Sequence, residues 1–291
     1  VTLAFDPTLR VGILAVRWET LGLAAAVFFA LLVAAFAARS ESRRAGLTPL
    51  RLDDIFFLVL AAVAGAVVGG RAAQGLDYLD YYRAHPAALV DPSQGTLSLL
   101  GAVLGGTLAV VYMCRLLQVS AGRWLDAAAI PLLLAIGLGK AAYLLGGGGQ
   151  GLPYAGPFAL AFAGAGPWLS PQPAVPAYPS QLLEAVWTLA GIVLLLALGT
   201  GRVQRRLPLR LRQSGAWLAQ RSTRGAEVAP ERLRFGYRFL AALAWWLVGR
   251  LLVAFTWRDP AILGALDAEQ VGALVTLAGV VLVGAWWSRT D

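Results

Sequence analysis

Ile136-Gly137-Leu138-Gly139-Lys140-Ala141-Ala142-Tyr143-Leu144-Leu145-Gly146-Gly147-Gly148-Gly149-Gln150-Gly151 begins as an apolar helix and ends as a run of glycines. Lys140 is the only lysine in the chain, and every other basic side chain is arginine. A charge inside an apolar segment costs roughly 2.5 to 3.5 kcal/mol on insertion scales, so a lysine here implies a negative partner. The glycines that follow strip away side chains and let backbone N–H groups approach a ligand closely. Together they point to a place where a lipid phosphate is met. A second reading stays open for Lys140, which can snorkel outward from the end of its helix.

The rest of the chain fits a membrane setting. Of 291 residues, 58% are hydrophobic and only 14% are charged. The class is therefore all-α, a polytopic membrane protein forming a single integral membrane domain over 1–291. The apolar runs are continuous rather than alternating, which argues against a β-barrel. One cysteine, Cys114, excludes an internal disulfide, and one histidine, His85, excludes a multi-histidine metal centre. No metal and no cofactor is expected. The net charge of +8 suits membrane lipid of anionic character and does not require nucleic acid. Residues Val1 to Arg17 lack the basic-then-apolar order of a cleaved leader, so the first helix is expected to remain.

About seven spans of near bilayer length are expected. They run roughly Thr20 to Ala38, Asp54 to Gln74, Thr96 to Gln118, Trp124 to Leu145, Pro179 to Thr200, Phe235 to Thr256 and Gln270 to Trp287. Arginines follow the first, third, fifth and seventh spans, most densely in a basic cytoplasmic loop over 201–234. The alternate loops, 75–95 and 146–178, are poor in arginine. The positive-inside rule then places the N-terminus outside and the C-terminus in the cytoplasm. The segment Tyr78 to Pro86 suits a short interfacial helix. The proline-rich loop after the fourth span is expected to be irregular. No internal repeat is visible.

Polar groups from five spans fall at one depth on the outer side. They are Gly69-Gly70-Arg71, the segment Gly95 to Gly105, the Lys140 stretch, Tyr178-Pro179-Ser180-Gln181-Leu182-Leu183-Glu184-Ala185, and Gly249-Arg250. Lys140, Arg250, Arg71, Gln181 and Glu184 are the ionisable and polar side chains there, and Lys140 and Arg250 are the candidates for meeting a lipid phosphate. Glu184 is also readable as an ion-pair partner of Lys140 or Arg71. Gly101, Gly105 and Gly106 are readable as helix-packing contacts. Trp245, Trp246, Trp257, Trp286 and Trp287 read mostly as interfacial and packing residues.

This order resembles the bacterial prolipoprotein diacylglyceryl transferases. Tyr178 to Ala185 looks like that family's H-P-S-Q-L-Y-E-A. Gly139-Lys140, with Gly147 and Gly151, is similar to its G-R-x-G-x-F-x-x-G-x-x-x-G, and Gly151-Leu152-Pro153-Tyr154 to the G-x-P-W that follows. Gly249-Arg250-Leu251-Leu252-Val253 looks like its late (F/G)-R-F-x-x-E. The resemblance implies transfer of the diacylglyceryl group of phosphatidylglycerol to the lipobox cysteine of a prolipoprotein signal peptide, with glycerol phosphate leaving. It implies that Lys140 and Arg250 stabilise the leaving phosphate and that Arg71, Gly139, Tyr143, Gly147, Gly151, Gln181, Glu184 and Trp246 bind substrate. It also implies a multi-pass protein of the bacterial plasma (inner) membrane.

The chain departs from the pattern in its polar positions. The family's functional histidine aligns with Leu100, its arginine with Lys140, and an Asn or Cys with Tyr143. Gly148 stands for an acidic or small polar residue, and Glu19 roughly for a tyrosine. Trp246 replaces a tyrosine, and Ala254 replaces an acid. Two readings follow: a divergent enzyme with another base, for which His85, Glu19 and Tyr143 are candidates, or a silent relative that binds anionic phospholipid or lipoprotein signal segments. A transporter is a weaker third reading, since no repeated halves are present.

Overall fold

A computed structural model of the chain describes residues 1–44, 50–91, 97–164, 166–199 and 236–290. The basic loop at 201–234, and Gly95 and Thr96 of the third expected span, lie outside the described residues. Eight α-helices are described: α1 Trp18–Arg44, α2 Leu52–Asp77, α3 Leu79–Ala84, α4 Leu99–Leu116, α5 Ala121–Tyr143, α6 Ser180–Gly199, α7 Tyr237–Ala254 and α8 Ala268–Thr290. All but α3 are long and apolar enough to cross a bilayer, which gives the seven spans expected. The short α3 falls in the Tyr78 to Pro86 segment. Span seven begins earlier than the hydropathy suggested, at Ala268 rather than Gln270, and this brings Glu269 into the helix.

The strands lie in the connecting segments. Thr2–Ala4 (β1) pairs in parallel with Ala161–Ala163 (β4). Thr8–Val11 (β2) and Leu14–Arg17 (β3) form a hairpin that leads directly into α1. A second hairpin, Ala261–Leu263 (β5) with Leu266–Asp267 (β6), leads directly into α8. The β1–β4 pairing places the N-terminal segment and the loop after α5 on one side of the bundle. That proline-rich loop is irregular, as expected. It is organised around Gln150, which accepts a hydrogen bond from the Ser170 hydroxyl at 2.5 Å and donates to the Leu160 carbonyl at 3.0 Å.

Two kinds of helix contact build the bundle. Helices α2 and α4 meet where Gly65 and Gly69 face Gly101 and Gly105; a Cβ at any of these would run into facing backbone. This is the small-residue packing that membrane helices use when lipid offers no hydrophobic driving force. Ser98 caps α4 by accepting from the Gly101 N–H at 3.2 Å. Helices α6 and α7 are held by a reciprocal tryptophan clasp. Trp187 Nε1 donates to the Trp245 carbonyl and Trp245 Nε1 to the Trp187 carbonyl, each at 2.8 Å. The rings stack 4.6 Å apart, with Gly249 beneath the Trp187 ring and Gly191 beneath the Trp245 ring. Asp126 of α5 accepts from the N–H groups of Gly236 and Phe239 at 2.8 and 3.1 Å, placing a carboxylate at the positive end of α7.

Candidate functional site

The clasp sets Glu184, one turn before Trp187, opposite Arg250, the residue after Gly249. Arg250 Nη1 donates to both Glu184 oxygens, at 3.0 and 3.1 Å. Lys140 Nζ, from α5, reaches Glu184 Oε2 at 2.9 Å. Trp246 Nε1 donates to Glu184 Oε1 at 3.4 Å. Glu184 is therefore the ion-pair partner of Lys140, one of the two partners the sequence left open, and also of Arg250. Arg71 does not join them: its Nη2 donates to the Asp91 carbonyl at 2.9 Å.

The other face of Arg250 meets Glu269 of α8. Nη2 lies 2.8 Å and Nε 3.0 Å from Glu269 Oε2. The Ser98 hydroxyl donates to Glu269 Oε1 at 3.3 Å. The result is a chain of alternating charge, Lys140, Glu184, Arg250 and Glu269, drawn from four helices. Two cations and two anions leave it neutral. Side-chain exposure falls from 20% at Glu269 to 10% at Lys140 and Arg250 and 1% at Glu184. Pairing of this order is what makes buried charge tolerable in an apolar medium.

Glu269 was missed by sequence reasoning, although a signal was present. Asp267 and Gln270 form a capping box: Gln270 N–H donates to Asp267 Oδ1 at 2.7 Å, and Asp267 N–H donates to Gln270 Oε1 at 3.0 Å. The D-x-x-Q spacing marks the helix start at Ala268 and puts Glu269 in its first turn. Gln270 Nε2 also donates to the Leu251 carbonyl at 3.2 Å, which ties this turn to α7 beside Arg250. Trp257 was read as a packing residue. Its ring instead lies 4.8 Å from Lys140 Nζ, a cation–π contact.

The glycine run makes a tight corner next to this chain. Gly147 and Gly149 adopt φ of +70° and +68°, which glycine takes without steric cost. A Cβ at Gly149 would collide with the side chain of Gln181, and one at Gly147 with the Trp168 ring. The N–H groups of Gly147, Gly148 and Gly151 donate to the carbonyls of Leu144, Tyr143 and Tyr178. These three amides thus stabilise the corner itself. Gln181 is buried, and its Oε1 has no hydrogen-bond partner among the described residues. Tyr143 is 38% exposed and lies over Gly148. Gly139 faces Leu23 of α1, away from the charges. Glu19 packs beside Gly146 and lies 3.8 Å from Arg17.

Negative charge gathers beyond Glu269. The side chain of Asp259 reaches solvent, yet partial burial first, and then the carboxylates of Asp267 and Glu269, hold it above the usual carboxylate range. Burial, followed by Asp259 and Asp77, likewise raises the Tyr78 phenol. Leu100 belongs to the apolar core with Leu133, Ile136, Trp246 and Ala273, and its side chain meets Gly272 of α8. Ala254 is buried. Arg250 therefore receives its second carboxylate from a different helix rather than from one turn further along its own.

The family model for prolipoprotein diacylglyceryl transferase matches residues 7–223. A phosphatidylglycerol–prolipoprotein diacylglyceryl transferase of Geobacter sulfurreducens is 34% identical over 203 residues, covering 69% of this chain and 73% of that protein. Proteins of the same description from Brucella ovis and Mesorhizobium japonicum are 32% and 31% identical over 201 and 192 residues. Those alignments cover 67% and 65% of this chain and 67% and 64% of the relatives. Arg250, Trp257 and Glu269 lie beyond the residues the family model matches.

Proposed function

The chain belongs to the prolipoprotein diacylglyceryl transferase family, and from that premise we propose that it moves the diacylglyceryl group of phosphatidylglycerol onto the lipobox cysteine of prolipoproteins. The observation that carries this reading is Lys140. It is buried and pairs with one carboxylate among the described residues, Glu184, and its motif resembles the family's with lysine where that motif has arginine. An ammonium has three N–H donors, so contact with a lipid phosphate does not require Glu184 to leave. Arg250 supports Lys140 by sharing Glu184, and its own fork faces Glu184 and Glu269. Gln181 offers the open polar group on the glycine side, with Gly147, Gly151 and Tyr143 shaping the corner and Trp246 fixing Glu184. Arg71 of α2, which donates to the Asp91 carbonyl, and Gly139, which faces Leu23 of α1, complete the candidate set.

The reaction needs a cationic place for a departing phosphate monoester and a proton acceptor for the thiol. In this reading the protein lies in the bacterial inner membrane, with its N-terminus and the charged chain near the outer face. No bound cofactor or metal enters the chemistry.

The test is mass spectrometry of a lipobox peptide incubated with purified protein in phosphatidylglycerol vesicles, with an active relative in parallel. A gain of one diacylglyceryl group is expected, and Lys140→Ala should abolish it. No gain from the wild type beside an active relative would overturn the transferase reading. A second reading, a silent relative that only holds anionic lipid, draws on one observation: the family's histidine position is Leu100, packed in the apolar core. That reading predicts phosphatidylglycerol co-purifying without turnover.

A further inference from the structure

Resting on the transferase reading, we propose that Glu269 is the proton acceptor for the substrate thiol, supplied by the last helix where Leu100 carries no ionisable group. Four observations support it. Of the two carboxylates in the charge chain, Glu184 is 1% exposed and is contacted by Lys140, Arg250 and Trp246. Glu269 is 20% exposed. Among the described residues Arg250 contacts its Oε2, while Oε1 meets one hydroxyl, that of Ser98, at a long 3.3 Å. The capping box fixes the turn that carries it, and a base held in a set orientation is what proton transfer needs.

The step balances as follows. The S–H bond breaks and its proton passes to Glu269 Oε1. The sulfur electron pair forms the C–S bond to the glyceryl carbon. The C–O bond to phosphate breaks, and its pair leaves with glycerol phosphate. The Glu269 carboxyl then returns its proton to solvent or to the departing phosphate.

The test is the pH profile of kcat for wild type, Glu269→Gln and Glu269→Asp in phosphatidylglycerol vesicles. The amide keeps an oxygen that accepts from Arg250, and its NH2 group can donate to the Ser98 hydroxyl oxygen, but it takes no proton. At pH 7 kcat should fall by about 100-fold or more, the scale of a lost general base. The loss should shrink roughly tenfold per pH unit toward about 8.5, where the free thiol ionises by itself. The aspartate variant should recover part of the rate with a wild-type profile. A glutamine variant within about threefold of wild type, or one equally impaired at every pH, overturns the assignment of Glu269 while leaving the transferase reading intact. A wild type inactive beside an active relative overturns that reading and the assignment with it.

Discussion

Helices α2 and α4 meet without charge, whereas α5, α6, α7 and α8 meet through it. At the first contact, glycines from both helices bring backbone against backbone, and among the described residues no ion pair joins the two. At the second, Lys140, Glu184, Arg250 and Glu269 interlock in an otherwise apolar interior. The first interface depends on side chains being absent. The second depends on each charge having its opposite. They should therefore fail in different ways.

The largest effect should come from Glu184. Glu184→Gln leaves Lys140 and Arg250 facing each other, with Glu269, on the far side of Arg250, as the one carboxylate left in the chain of charges. Removing one member of a buried pair costs about 3–5 kcal/mol. The melting midpoint in detergent should fall sharply. Adding Lys140→Met to Glu184→Gln should restore part of it, because Arg250 and Glu269 then stand as a neutral pair. Additive losses in the double variant would show that the charges are not coupled. Transfer activity should be absent in both.

Breaking the uncharged side should cost less. Gly105→Leu pushes a side chain into the backbone of α2, and overpacking of this kind costs typically 1–3 kcal/mol. Gly279→Leu in α8 is the control, since nothing lies within 4 Å of its Cβ position. Equal melting midpoints for the two variants would mean that the α2–α4 contact has slack. Smaller still is the clasp. Trp245→Phe keeps most of the ring stack on Trp187 but loses one 2.8 Å hydrogen bond, worth about 1 kcal/mol. If Glu184 and Arg250 depend on the clasp for alignment, this variant should lose more activity than stability, seen as a fall in kcat well beyond what its small drop in melting midpoint accounts for.

The seven spans were legible because hydropathy and length are properties of local sequence. The glycine packing was partly legible: Gly101 and Gly105 read as packing contacts, whereas Gly69 read as part of the polar constellation and Gly65 carried no reading, because a small residue does not say which helix it faces. The charge chain was half legible. Lys140, Glu184 and Arg250 each stood out as an ionisable residue in an apolar run, and such a residue requires a partner. Pairing Lys140 with Glu184 was one of two options; joining Arg250 to the same carboxylate required the fold. Glu269 escaped because it sits at a helix start, where an acidic residue normally reads as complementing the helix dipole. Its contact with Arg250 spans 19 residues and a hairpin, and no local pattern reports such a contact. Trp257 escaped for a similar reason: an interfacial tryptophan and a cation–π partner share the same composition.

The smallest prediction tests whether negative charge is in excess beyond Glu269. Asp259 is held above the usual carboxylate range by burial and then by Asp267 and Glu269. The folded protein therefore binds that proton more tightly than the unfolded chain. The resulting stability is fully present below the ordinary aspartate value of about 3.9 and is lost as pH rises through the folded value. Asp259→Asn cannot contribute it. Wild type should gain on the variant as pH falls through this window, and above it the variant should be equal or slightly more stable, because one unfavourable charge is gone. Solvent at the Asp259 side chain screens the effect and keeps it small. Parallel melting curves across the window would place Asp259 outside the influence of Glu269, and the polar side of the molecule would then end at the charge chain itself.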